Sequence, residues 1–120
     1  MRRLLVPLLL VAGLGLSACS DATVVREPGR TVTISEHDYR FRPQRVQVRP
    51  GRITFRVTND SRQPHNFQLR GRGRKRGRIA TLKPGESGKL TVRLRRGTYT
   101  MYCGIGHHEQ LGEYGTVIVR

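Results

Sequence analysis

Residues 89–119 read KLTVRLRRGTYTMYCGIGHHEQLGEYGTVIV. Leu90, Val92 and Leu94 alternate with Thr91 and Arg93, and a second alternating run at 98–103 follows the Arg96-Gly97 turn signal. An interval poor in bulky apolar residues then separates these runs from a third, GTVIV, at 115–119. A period of two sends successive side chains to opposite faces of a strand, so the segment reads as two strands, a loop and a third strand. Working outward, the same reading covers TVTISE (31–36), RVQVR (45–49), ITFRVTN (53–59), NFQLR (66–70) and RIATL (78–82). Turn signals separate them: Arg49-Pro50-Gly51-Arg52, Asn59-Asp60-Ser61 and Lys83-Pro84-Gly85-Glu86. No stretch carries helical periodicity. About eight short strands with one apolar face each predict an all-β, Greek-key antiparallel β-sandwich over residues 31–120. RGRGRKRGR (70–78) breaks the pattern with glycine and dense like charge, and is expected to be a solvated, mobile loop or hairpin tip.

The first residues have a different purpose. MRRLLVPLLLVAGLGLSAC (1–19) places Arg2 and Arg3 before an apolar run, residues 4–16, shorter than the ~20 residues a spanning helix needs. It reads as a signal peptide over residues 1–18. Leu16-Ser17-Ala18-Cys19 resembles a bacterial lipobox, which implies cleavage before Cys19, acylation of its sulfur, and a tether over residues 19–30. The expected location is outside the cytoplasm, at the outer face of the bacterial cytoplasmic membrane or in the periplasm.

Loss of Arg2 and Arg3 with the signal leaves 21 basic against 8 acidic residues, a formal charge of +13. Such a domain is attracted to an anionic membrane surface or an acidic partner protein. Export argues against nucleic acid. The expected working unit is a monomer.

The chemistry concentrates at Cys103. With Cys19 acylated, this thiol has no intramolecular partner among the chain's two cysteines, so outside the cytoplasm it calls for burial, intermolecular pairing or a metal. His108 is close enough in sequence for one loop to hold both side chains around an ion. His65 in QPHNF heads a strand and offers a third ligand, and Glu113 a fourth. Two imidazoles, a thiolate and a further group suit mononuclear copper and equally tetrahedral zinc. His107 reads as an exposed neighbour of His108, and His37 has no partner at ligand spacing. A centre with two bridging cysteines is excluded by the single available thiol. A multicopper oxidase is excluded by having only four histidines.

The segments DYRFRPQRVQVRPGRITFRVTN, QPHNF and LKPGESGKLTVRLRRGTYTMYCGIGHHEQLGEYGTVIV together resemble the cupredoxins, the small blue-copper proteins akin to plastocyanin and azurin. The resemblance implies one copper ion per domain, cycling between Cu(I) and Cu(II), with His65, Cys103 and His108 as ligands. It implies that Asn66 ties the two ligand loops together by hydrogen bonds. It also implies an electron exit at the edge of His108, flanked by an apolar docking patch of Ile105 and Leu111. One position departs from the family pattern: Glu113 stands where the axial methionine is expected. Met1 leaves with the signal and Met101 precedes the cysteine, so neither replaces it. A carboxylate is harder than a thioether, favours Cu(II), and lowers the reduction potential if it ligates. If Glu113 instead faces solvent, three ligands remain. The function expected is a membrane-tethered one-electron carrier without enzymatic activity. The alternatives are extracytoplasmic copper or zinc binding and delivery, or a red-copper-like site that reacts with a small molecule.

Overall fold

The computed structural model describes residues 23–120, and the signal peptide and Cys19 lie outside the described residues. Ten strands occur in chain order: β1 Val25–Arg26, β2 Thr31–His37, β3 Arg40–Arg42, β4 Arg45–Val48, β5 Gly51–Asn59, β6 His65–Gly71, β7 Arg74–Leu82, β8 Ser87–Leu94, β9 Gly97–Tyr102 and β10 Tyr114–Val119. They form a six-stranded sheet in the order β1-β4-β10-β9-β6-β7 and a four-stranded sheet in the order β3-β2-β5-β8. The chain crosses between sheets after β1, β3, β4, β5, β7 and β8, so the architecture is the expected all-β sandwich.

Three details differ from the sequence reading. The sheets are mixed rather than antiparallel: β1 with β4, β4 with β10, and β2 with β5 all run parallel. Side-chain alternation reports burial, not strand direction, so this was not readable. Two strands are additional, because β1 and β3 are too short to show a period. The basic segment 70–78 is mostly strand: β6 and β7 continue through it to a two-residue turn at Arg72-Gly73. Its charges stand at exposed or half-buried positions and at the tip, where hydration does not oppose pairing.

The inward rows explain both the core and the site. Val32 and Ile34 of β2, Ile53, Phe55 and Val57 of β5, Phe67 and Leu69 of β6, Tyr99 and Met101 of β9, and Val117 and Val119 of β10 are buried between the sheets. Phe67 meets Phe41 edge to face at 5.7 Å and tilts against Phe55 at 5.3 Å between ring centroids. Each fully buried aliphatic or aromatic side chain of this kind contributes about 1.5–3 kcal/mol. Followed toward one end of the sandwich, these rows run out into polar residues: Glu36 after Ile34, Asn59 after Val57, His65 before Phe67, Cys103 after Met101, and Glu113 before Gly115. Glu36, Asn59, His65 and Glu113 are all fully buried. Strand periodicity thus aims the site's side chains at one point.

Candidate metal centre

His65 Nδ1, Cys103 Sγ, His108 Nδ1 and a Glu113 oxygen all lie within 4.8 Å of one another. The two imidazole nitrogens are 3.1 Å apart, and Cys103 Sγ is 4.0 Å from His65 Nδ1 and 3.6 Å from His108 Nδ1. Glu113 Oε2 is 2.7 Å from His65 Nδ1 and 3.3 Å from His108 Nδ1. Despite these approaches, neither Glu113 oxygen has an aligned hydrogen-bond donor, and neither is reached by solvent. A buried carboxylate without a donor costs several kcal/mol. The four groups converge on a common point through atoms that carry lone pairs. Two nitrogens on one four-coordinate ion, each about 2.0–2.1 Å from it, would stand about 3.3 Å apart. The donor set therefore fits a single metal ion.

Two loops and two strand ends hold the cluster. The 104–112 loop leaves β9 after Cys103 and folds into consecutive turns, with His108 N donating to Ile105 O at 3.1 Å and Glu113 N to His108 O at 3.0 Å. Cys103 N donates to Glu113 O at 3.0 Å, closing the loop backbone to backbone between two cluster residues. Gly112 has φ +120°, and a Cβ there would come within 3.3 Å of Tyr39 O, so both conformation and space favour glycine. Asn66, next to His65, donates its backbone N–H to Cys103 Sγ at 3.4 Å, while its Oδ1 accepts from Gly104 N at 2.8 Å. These bonds link the β6 side of the site to the cysteine loop.

Burial sets the protonation chemistry. Desolvation pushes the Cys103 thiol up to about 11, although N–H groups of Asn66 and Ile105 oppose this, and pushes Glu113 up to about 7. His65 is lowered by burial and by its proximity to His108. Metal-free, the cavity thus favours a neutral thiol and neutral imidazole. A bound cation would favour thiolate and carboxylate, so binding releases protons.

The structure brings together all four residues singled out from sequence. His107 is exposed and outside the cluster; His37, half-buried, is also outside it and bonds Ser35 Oγ through Nε2 at 2.9 Å. Met101 is buried in the core. His108 has a side chain 13% exposed, and Leu111 is exposed beside it. Sequence reasoning missed two contributors. Tyr39, at φ 55° in the β2–β3 turn, sets its ring edgewise to His108 at 5.0 Å and to His65 at 6.3 Å. Glu36 lies fully buried with neither carboxylate oxygen hydrogen-bonded, and desolvation followed by repulsion from Glu113 raises it to about 8. The alternation Val32, Ile34, Glu36 was the available signal for Glu36, since it places the carboxyl on the inward row.

The sequence matches the profile of the cupredoxin-like domain over residues 7–119, and the chain belongs to that family. Among solved structures, the fold is similar to that of reduced auracyanin from the photosynthetic bacterium Roseiflexus castenholzii, with a TM-score of 0.71 and 20% identity. That alignment covers 78% of this chain and 99% of the auracyanin. Auracyanin A, a "blue" copper protein from Chloroflexus aurantiacus, gives a TM-score of 0.67 at 18% identity, covering 75% of this chain and 98% of its own. A purple cupredoxin from Nitrosopumilus maritimus gives 0.58 at 24% identity, covering 77% and 100%. No curated protein sequence matches the chain. Among the described residues no helix is long and apolar enough to cross a membrane.

Proposed function

We propose that this domain is a mononuclear copper protein carrying one electron at a time, with His65, Cys103, His108 and Glu113 as its ligands. The observation that carries the reading is the convergence of four lone-pair donors on one buried point, with both Glu113 oxygens lacking a hydrogen-bond donor. Copper, when bound, supplies the Cu(I)/Cu(II) couple. The chain supplies the rest. His65, Cys103 and Glu113 sit on or against strand ends, so the cage is held by the sandwich and shifts little between charge states. Asn66 and Gly104 restrain the thiolate, and the Asn66 N–H to sulfur withdraws electron density from it, which raises the potential. Glu113 acts in the opposite sense and stabilises Cu(II). The half-buried edge of His108, with Ile105 and Leu111, is the surface through which an acidic partner protein would exchange the electron.

Export through the residue 1–18 signal and acylation of Cys19 would hold the monomeric domain at an anionic membrane surface. A second reading rests on Glu113 itself. Its full burial between two imidazoles completes a closed tetrahedral set that zinc also accepts, which supports a role in metal holding or delivery.

A Cu(II) titration of residues 20–120, followed by visible and electron paramagnetic resonance spectra, tests both readings. An intense thiolate-to-copper band saturating at one equivalent, and reversible one-electron reduction, are expected. A colourless protein that retains zinc in preference to copper would overturn the electron-carrier reading in favour of the second.

A further inference from the structure

The opposite end of the sandwich carries a second feature. Arg72, Arg74 and Arg76, at the β6–β7 turn and along β7, converge with Arg93 of β8 and Arg95 beyond it on a cleft of about 420 Å³ floored by Tyr99. Tyr99 starts the inward row of β9 that ends at Cys103, so the cleft and the ligand cluster are separated by about 13 Å of strand. Five guanidinium groups come from two different sheets, and no carboxylate lines the cleft. Among the described residues none of the five takes part in an ion pair, whereas Arg70 pairs with Glu109. Such a concentration of like charge is unfavourable unless an anion offsets it.

The cleft is also partly organised. Arg76 donates from Nε to Gly71 O at 3.1 Å and lies 5.8 Å from the Tyr99 ring centroid, which leaves its terminal nitrogens unbonded. Tyr99 is itself fixed, buried, with its hydroxyl donating to Arg95 O at 2.9 Å. Guanidinium forks match the oxygens of phosphate two at a time, and the preference for arginine over lysine is what bidentate recognition requires. Five forks exceed what one phosphate uses.

We propose that this cleft is a binding site for a ligand carrying two or more adjacent phosphate groups, independent of the metal centre. Such groups reach an exported protein either as a soluble oligophosphate or on an anionic lipid headgroup.

The test is calorimetric titration of the copper-loaded full chain in mild nonionic detergent, with amide chemical shifts recorded in parallel. Inorganic tripolyphosphate, a soluble short-chain cardiolipin, whose headgroup carries two phosphates, and polyglutamate are the three probes. Saturable tripolyphosphate binding with shifts confined to residues 71–77, 93–95 and 99 is expected. Arg74→Gln with Arg93→Gln should weaken it at least about tenfold, and Arg56→Gln with Lys89→Gln, which removes equal charge from the outer face of β5 and β8, by less than about threefold. Tighter binding of the lipid probe through the same arginines would support the proposal and assign the headgroup as source. Tighter binding of polyglutamate would overturn it in favour of an acidic protein. Equal losses from the two double variants, or no saturation, would overturn it as general charge attraction. All readouts are independent of whether copper or zinc occupies the metal centre.

Discussion

The two ends of this sandwich are built from the same strands and the same alternation, yet they treat charge in opposite ways. At the ligand end, polar residues occupy inward positions, so Glu36, His65 and Glu113 are stripped of water and either meet a cation or become neutral, the carboxyls by holding a proton and the imidazole by shedding one. At the arginine end, charge lies at the rim of the sandwich and at a turn, where water screens it and the main cost is mutual repulsion. One end can change its chemistry through a single side chain; the other changes in increments. Substitutions that move charge between these regimes are the way to test the contrast.

The largest effect is expected from Cys103→Ser. Serine fills nearly the same volume but is a poor ligand for copper. Changes to groups that merely support a ligand cost about 10–100-fold in affinity, so loss of the thiolate should cost more than about 100-fold. The intense visible band should vanish while the metal-free protein keeps its unfolding midpoint. Retention of the band would place the sulfur outside the site.

Next comes the metal-free protein's response to pH. Glu36 is raised from 4.5 to about 8, chiefly by desolvation. The folded state therefore keeps a proton that the unfolded chain releases. Its favourable contribution is fully present below pH 4.5 and is lost as pH rises to about 8. At about 1.4 kcal/mol per unit the loss is on the order of a few kcal/mol. Glu36→Gln keeps the shape and removes the proton, so the fall in stability across that window should flatten, most clearly between pH 7 and 8. Below about pH 7 Glu113 continues to contribute with the same sign. Urea unfolding at pH 5, 6.5 and 8 measures the slope, and an unchanged slope would remove Glu36 as its source.

These two residues also show what the sequence could convey. Cys103 was legible because a solitary exported thiol beside His108 in a short loop demands a reason. His65 and Glu113 were legible through the family pattern into which they fall. Glu36 was not singled out, because an alternating strand that ends on a carboxylate reads as polar surface unless the opposing sheet is known. Tyr39 was hidden because its contact with His108 depends on a left-handed turn residue between two short strands. Strand existence followed from periodicity, whereas parallel pairing depends on crossovers between sheets, which alternation does not record. The continuation of β6 and β7 through the basic segment was obscured by composition, since glycine and like charge also describe a loop.

A smaller effect is expected just behind Glu113. Gly115 occupies an inward position opposite Met101, and a Cβ there would approach Gln44 O and Met101 Cε to 2.4 Å each. The methionine tip can move, but the β3–β4 backbone cannot do so without disturbing β10. Gly115→Ala should destabilise the domain by about 1–3 kcal/mol. If the strain is passed along β10 to Glu113, the electron paramagnetic resonance parameters of the copper protein should shift as well. A destabilised variant with an unchanged spectrum would show that the ligand end is insulated from its supporting strand.

The smallest effect lies where the two regimes meet. Arg70, on β6, lies 4.2 Å over the Tyr102 ring and donates from Nη1 to Glu109 Oε2 at 3.1 Å, with a second, shorter contact from Nη2 to Oε1. It thereby fastens the ligand loop next to His108, but both partners are partly exposed. Exposed pairs contribute about 0.2–1 kcal/mol, so a double-mutant cycle of Arg70→Gln and Glu109→Gln should return a coupling in that range that shrinks as salt is raised. The consequence for the site depends on the ion. Without metal, the loop's internal turns, the Cys103–Glu113 backbone bond and this pair hold His108 in place, so Arg70→Gln should speed amide exchange across residues 105–112. With copper bound, His108 is held by a ligand bond far stronger than the surface pair, and the same substitution should leave exchange there nearly unchanged. Faster exchange in both forms would mean that the loop is ordered by its surface contacts and not by the metal.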